Sequence, residues 1–164
     1  MKVASFNIND INKRFQNLSA WLSKAEPDVV CLQELKAEQN AFPADKLRPL
    51  GYESVWQGER SWNGVAILAR DCVPVLTRSS LPGQPNDRQA RYIEAAIHGI
   101  LITSIYLPNG NPQPGPKFDY KLAWVRTFNR ARRGTHERRR ACRLGRRLQR
   151  RTDCAGHLSH AISR

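Results

Sequence analysis

Three short stretches of this 164-residue chain place polar side chains directly after apolar runs. SFNIN (5–9) contains Asn7 and Asn9, CLQELK (31–36) carries Glu34, and IYLPNG (105–110) carries Tyr106 and Asn109. Strand ends in an α/β sheet can converge on one crevice. A carboxylate beside amides in such a crevice suits Mg2+, which takes one or two carboxylates and completes its shell with water and phosphate oxygens. Ordinary turn chemistry accounts for the same residues, with Glu34 closing a loop and the asparagines making turns. Spacing alone leaves both readings open.

The elements that would position these groups alternate between strand and helix. KVASFN (2–7) is a short apolar run that stops at polar residues, as a buried strand does. Ile11, Phe15, Leu18, Trp21 and Leu22 recur at helical spacing, and Pro27 follows as a stop. DVVCLQE (28–34) predicts a second buried strand, and residues 44–50 a short helix leading to a strand at YESVW (52–56). GVAILAR (64–70), CVPVLT (72–77), RYIEAAI (91–97) and GILITSIYL (99–107) predict further strands, separated by Gly, Pro, Asn and Asp. PNGNPQPGP (108–116) is expected to be a loop, and KFDYKLAW (117–124) opens a helix with Phe118, Leu122 and Trp124 as its apolar members. The expectation is an α/β fold with a mixed sheet and flanking helices.

The net charge of +13 would point to a polyanionic partner. Its distribution redirects that reading. Residues 1–124 carry 14 Lys and Arg against 12 Asp and Glu, whereas residues 125–164 carry 13 Arg, no Lys and 2 acids. The apolar residues after Trp124 show neither helical nor strand periodicity, so 125–164 reads as an irregular, disordered Arg-rich tail. Cys31, Cys72, Cys142 and Cys154 form no CxxC pair and no zinc-type spacing, and MKVASFNIND lacks the apolar stretch of a signal peptide. A cytoplasmic location is expected. No apolar run approaches the roughly 20 residues that span a bilayer, so no membrane partner is expected either.

MKVASFNIN, EPDVVCLQELK, AFPADKL, GYESVW, SWNGVAILAR, LPGQPNDRQARYIEA and SIYLPNGNP, in this order, resemble the first half of the exodeoxyribonuclease III family. These are AP endonucleases of the endonuclease/exonuclease/phosphatase superfamily. The resemblance covers residues 1–124 almost without a gap. It implies a four-layer α/β sandwich of two facing sheets, of which residues 1–124 would supply the first sheet and its helices. It implies a DNA repair nuclease, removing nucleotides from 3′ ends and cleaving 5′ to abasic sites in double-stranded DNA, with Mg2+ or Mn2+ as cofactor and a monomeric state at full length. Carried over position by position, Glu34 would be the metal ligand, Asn7 would place the metal or the catalytic water, and Tyr106 would contact the scissile phosphate. Asn63 in SWNGVAIL, Arg91, Asn109 and Lys117 are the substrate-side candidates, although a turn role for Asn63 and solvated charge at Arg91 and Lys117 explain them as well. One departure is DIN at 10–12, where the family usually has Gly-Ile-Arg; it bears on substrate affinity more than on metal binding.

Phosphodiester hydrolysis needs a metal, a base to activate water and stabilisation of the leaving oxygen. In the family the second half supplies a GDxN motif and an Asp–His pair. The written sequence contains no GDxN, and none of His98, His136, His157 and His160 matches the family histidine. Read one nucleotide later, the codons for 142–154 permit VVLAGDYNVVPT, which contains GDxN. A shift starting at Val125 permits FERLIAHAAELMNAGVP, which continues the helix begun by KFDYKLAW. Arg codons constrain this little, but a Gln149 codon followed by C permits only Asn or Ser, and the motif requires Asn. An extra base at the Trp124–Val125 junction is therefore expected, giving a truncated and inactive chain whose first sheet leaves an apolar face exposed. A competing reading makes the chain a non-catalytic binder of nucleic acid through its arginines. A phosphoinositide or sphingolipid phosphodiesterase shares the metal Glu and the Asn, but QELK, SWNGVAIL and DRQARYIEA are closer to the DNA-repair branch.

Overall fold

The computed structural model describes residues 1–133. The chain runs β1 (Val3–Asn7), α1 (Phe15–Ala25), β2 (Val29–Gln33), α2 (Ala44–Leu47), β3 (Tyr52–Gln57), β4 (Val65–Arg70), β5 (Val75–Arg78), β6 (Tyr92–Ile97) and β7 (Ile100–Ile105). A last helix, α3, occupies residues 116–133. Helix α1 buries Leu18 and Leu22, one turn apart, and ends where Glu26 turns left-handed ahead of Pro27. Its Trp21 meets Phe6 of β1 edge-on, with ring centroids 5.6 Å apart.

The strands form two sheets, ordered β1-β2-β4-β3 and β5-β6-β7. In the first, β1 and β2 are parallel, as the intervening helical crossover requires, and β4 is antiparallel to both β2 and β3. The second sheet is antiparallel throughout. This confirms the α/β class and the mixed sheet, and corrects the division of strands. Residues 1–124 supply strands to both facing sheets, not to the first alone.

The physical reason lies in the alternation of side chains along the strands. Val29, Cys31, Val65, Ile67 and Ala69 project from one face of the first sheet and pack against Ile93, Ala95 and Ile97 of the second. The opposite face of the first sheet, with Val30, Leu32, Ala66 and Leu68, packs against Leu18, Leu22, Leu47 and neighbours. The exposed apolar face expected for the first sheet is thus covered, among the described residues, by β6 and β7. Apolar exposure falls elsewhere, on Val75 and Leu76 of the edge strand β5 and on Ile100 and Leu101 of β7. Pro74, which has no N–H for a ladder bond, immediately precedes β5, so that strand begins only at Val75 and is shorter than 72–77 suggests.

Helix α3 packs against Tyr92 and Ile105 at one end of the second sheet. Gly115 accepts the N–H groups of Phe118 and Asp119, and Pro116 opens the helix, where its missing N–H costs nothing. Trp124 is buried with Leu81 and Tyr92, and Tyr120, Val125 and Phe128 pack beside it. The helix therefore continues nine residues past position 124, contrary to the irregular tail read from there. Val125 and Phe128, partly buried, continue the stripe begun by Tyr120 and Trp124, a pattern that the surrounding arginines mask. Leu122, expected on the apolar side, is exposed. The remaining tail, with Cys142, Cys154, Gln149 and three of the histidines, lies outside the described residues.

Candidate functional site

One end of the sandwich collects the C-terminal ends of β1, β2, β3 and β7 and the starts of β4 and β6. Beyond the strands, pairing continues through the loops: the N–H groups of Ile8, Asp10 and Ile11 bond the carbonyls of Gln33, Glu34 and Leu35. On the other side, Leu35 and Lys36 donate to the carbonyls of Gly64 and Asn63. Leu35 is fully buried and anchors this loop. Asn9, Asp10, Glu34 and Lys36 all take left-handed backbone, with φ of 49°, 84°, 54° and 50°. Non-glycine residues pay for that conformation, and such strain concentrates at functional sites. At Asp10, where glycine would adopt it freely, the carboxylate accepts the Lys13 N–H at 3.1 Å. That contact anchors the turn at the position where the sequence departs from Gly-Ile-Arg.

Glu34 is the centre of the arrangement. Its Oε1 accepts from Asn7 Nδ2 at 2.5 Å and from the Tyr106 hydroxyl at 2.8 Å. Lys36 Nζ stands 3.4 Å from Oε2 and donates to Asn9 Oδ1 at 2.6 Å. Asn7 Oδ1 accepts the Asn9 N–H at 3.0 Å. Partial burial pushes the Glu34 carboxyl up, but the bonds from Asn7, Tyr106 and Lys36 outweigh it and hold the group below the usual carboxylate range. Burial and the bond to Glu34 push the Tyr106 phenol up.

Behind Tyr106 stands Arg91, buried, with its guanidinium 4.8 Å from the ring centroid. Its Nε donates to Gln89 Oε1 at 2.6 Å and its Nη1 to the Tyr106 carbonyl at 3.5 Å. Arg91 thus braces Tyr106 instead of standing as a solvated surface charge. Asn63 is also buried, its Nδ2 bonded to Glu59 and its backbone carbonyl to Lys36. It supports the Glu34 loop from behind. Asn109 is exposed and caps the N–H of Asn111 at 3.2 Å within its own loop. Lys117 is exposed in the first turn of α3. Among the described residues, Asn7, Glu34, Tyr106 and Arg91 form one connected group, Asn63 joins it through backbone bonds, and Asn109 and Lys117 stand outside it. Sequence reasoning missed Lys36, although it lies within QELK, and Gln89 and Glu59, for which the sequence offers no signal.

The donors fit a hard divalent cation. Glu34 Oε2 and Asn7 Oδ1 are oxygens of the kind Mg2+ and Mn2+ take, with one carboxylate and water completing the shell. A cation there would compete with the Lys36 ammonium for the same carboxylate oxygen. Among the described residues, no cluster of three or more His, Cys, Asp or Glu side chains offers an alternative site.

Residues 4–155 match the endonuclease/exonuclease/phosphatase family. The chain belongs to that family. It is 37% identical over 114 residues to exodeoxyribonuclease III of Haemophilus influenzae, a match covering 67% of this chain and 42% of that protein. Its fold is similar to that of a 3′-5′ exonuclease from Neisseria meningitidis, with a TM-score of 0.78 and 36% identity over 84% of this chain and 54% of that one. An AP endonuclease from Archaeoglobus fulgidus is also similar, with a TM-score of 0.72 and 35% identity over 77% and 49% of the two chains. The chain spans about half the length of these family members, or less.

Proposed function

We propose that this chain carries the metal-binding part of a DNA phosphodiesterase of the exodeoxyribonuclease III type, acting on abasic sites and 3′ ends of double-stranded DNA. The observation that carries the reading is the Glu34 carboxylate, held ionised at a strand end by Asn7, Tyr106 and Lys36. The names of the similar proteins support the substrate class. Glu34 and Asn7 would hold Mg2+, with Mn2+ as substitute; such an ion, when bound, neutralises phosphate charge and lowers the pKa of water. Tyr106 holds its hydroxyl beside Glu34, from where its single O–H would turn from the carboxylate to a phosphate oxygen, Arg91 fixes the ring, and Lys36 and Lys117 add positive charge for the DNA backbone.

A single carboxylate supplies no separate base, so we infer that hydrolysis needs residues beyond this group and that the 164-residue chain alone does not incise. The extra base at the Trp124–Val125 junction belongs to the same proposal, and resequencing that junction tests it. For the function, the chain and its Glu34→Gln variant are titrated with Mn2+ by isothermal calorimetry and assayed on an abasic duplex with and without EDTA. Binding that disappears in E34Q supports the reading, and equal binding by both proteins refutes it. EDTA-sensitive incision by the chain alone would refute the inferred inactivity while upholding the activity class.

A second reading draws on α3, which exposes Arg126, Arg130 and Arg133 on the side opposite Trp124. Binding to any DNA that weakens steeply with salt and ignores EDTA would favour a non-catalytic binder.

A further inference from the structure

The β3–β4 loop holds a carboxylate that the chemistry above does not use. Glu59 is half-buried and both of its oxygens are engaged. Oε1 accepts from Asn63 Nδ2 at 2.8 Å, and Oε2 accepts the backbone N–H of Ala90 at 2.6 Å. Ala90 is itself buried, and its carbonyl accepts the Gly64 N–H at 3.0 Å. Glu59 therefore clamps the loop at 59–64 to the segment at 89–91.

Both ends of this clamp lead to Glu34. On one side, the carbonyls of Asn63 and Gly64 accept the N–H groups of Lys36 and Leu35, the two residues that follow Glu34 in its own loop. On the other, Ala90 precedes Arg91, whose carbonyl accepts the Tyr106 N–H at 2.9 Å and whose guanidinium lies on the Tyr106 ring. The Tyr106 hydroxyl closes the circuit on Glu34 Oε1. An apolar side chain at 59 would fill the space but leave the buried Ala90 N–H without a partner, a costly state. It would also free the Asn63 amide, whose Oδ1 is buried without a partner and whose orientation rests on its bond to Glu59.

We propose that Glu59 is a positioning residue: by clamping the two segments that carry them, its carboxylate sets the approach of Tyr106 to Glu34. The proposal rests on the reading of Glu34 and Tyr106 as the working pair of the site.

The test uses the full chain labelled with 13Cζ-tyrosine, its Tyr106 resonance assigned by loss in Tyr106→Phe, with all spectra taken at one neutral pH. Glu34→Gln gives the position of that resonance once the carboxylate is gone. In Glu59→Ala, the Tyr106 resonance is expected to move most of the way to the E34Q position. Exchange of the Ala90 amide is expected to accelerate by about 10- to 100-fold, as loss of a bond to a charged acceptor implies. Tyr52, whose hydroxyl bonds the Pro27 carbonyl in the other core, stays in place and reports an intact fold. Glu59→Gln keeps one acceptor for Ala90 and can meet a turned Asn63 amide, so it is expected to restore at least half of the displacement. If E59A does not fold, Glu59→Met, which fills the space without an acceptor, is read in the same way. A Tyr106 resonance unmoved while Tyr52 is intact overturns the positioning role, as does an E59Q spectrum identical to that of E59A. If E34Q itself leaves Tyr106 unmoved, the underlying pair fails and the proposal with it, which distinguishes the two failures.

Discussion

Replacing Tyr106 with Phe removes one hydroxyl and leaves the ring against Arg91, so it isolates the bond at 2.8 Å to Glu34 Oε1. Hydrogen bonds to charged groups contribute about 1.5–3 kcal/mol, against about 0.5–1.5 kcal/mol for neutral pairs. Because Tyr106 is only half-buried, the lower end applies, and the variant is expected to lose about 1.5 kcal/mol at pH 7. The loss should depend on pH. Burial raises the Glu34 pKa, but the bonds from Asn7, Tyr106 and Lys36 win and depress it in the folded state. A depressed folded pKa contributes stability that is complete above the unfolded value of about 4.3 and is lost as pH falls through the folded value. Tyr106→Phe lets the folded pKa rise, so wild type and variant should differ most at neutral pH and converge on acidification. Urea unfolding at pH 7 and near pH 3 should give a difference that shrinks to about 0.5–1 kcal/mol at the lower pH, the worth of a neutral bond. The same difference at both pH values, or none at pH 7, would refute the claim that this bond holds Glu34 ionised.

Two further substitutions probe the supports. Gly64 has φ of 104°, and a Cβ there would lie 2.7 Å from the Leu35 Cβ. Gly64→Ala is therefore expected to cost at least about 2 kcal/mol in urea unfolding and to weaken Mn2+ binding by shifting the loop of Glu34. Trp124→Ala, at a residue 1% exposed, is expected to cost about 3–5 kcal/mol. Trp124→Phe should cost distinctly less, because the indole N–H is buried without a partner and its removal relieves that penalty. The two unfolding curves compared at pH 7 check this ordering.

Much of the site was legible before any coordinates. Asn7 ends β1, Glu34 follows β2 and Tyr106 follows β7, so polar groups that close apolar runs stand at the rim of the sheets. β1, β2, β4 and β7 fall close to their expected residues because alternating or continuous apolar runs bounded by Gly, Pro and Asn admit few other structures. The continuation of α3 past Trp124 was hidden, because two apolar residues among arginines give no period until the sheet they cover is known.

Local residue order thus determined which segments are strands, where they stop, and that a carboxylate, amides and a phenol stand at their ends. Only tertiary structure decided that the strands divide into two sheets, since side-chain alternation is the same whichever sheet a strand joins. It alone decided that Arg91 and Asn63 turn inward, and that Glu59 meets Ala90, 31 residues further along the chain. Hydrogen bonds between loops far apart in sequence leave no periodic trace in it; they exist only once the packing of the two sheets brings those loops to the same end of the sandwich.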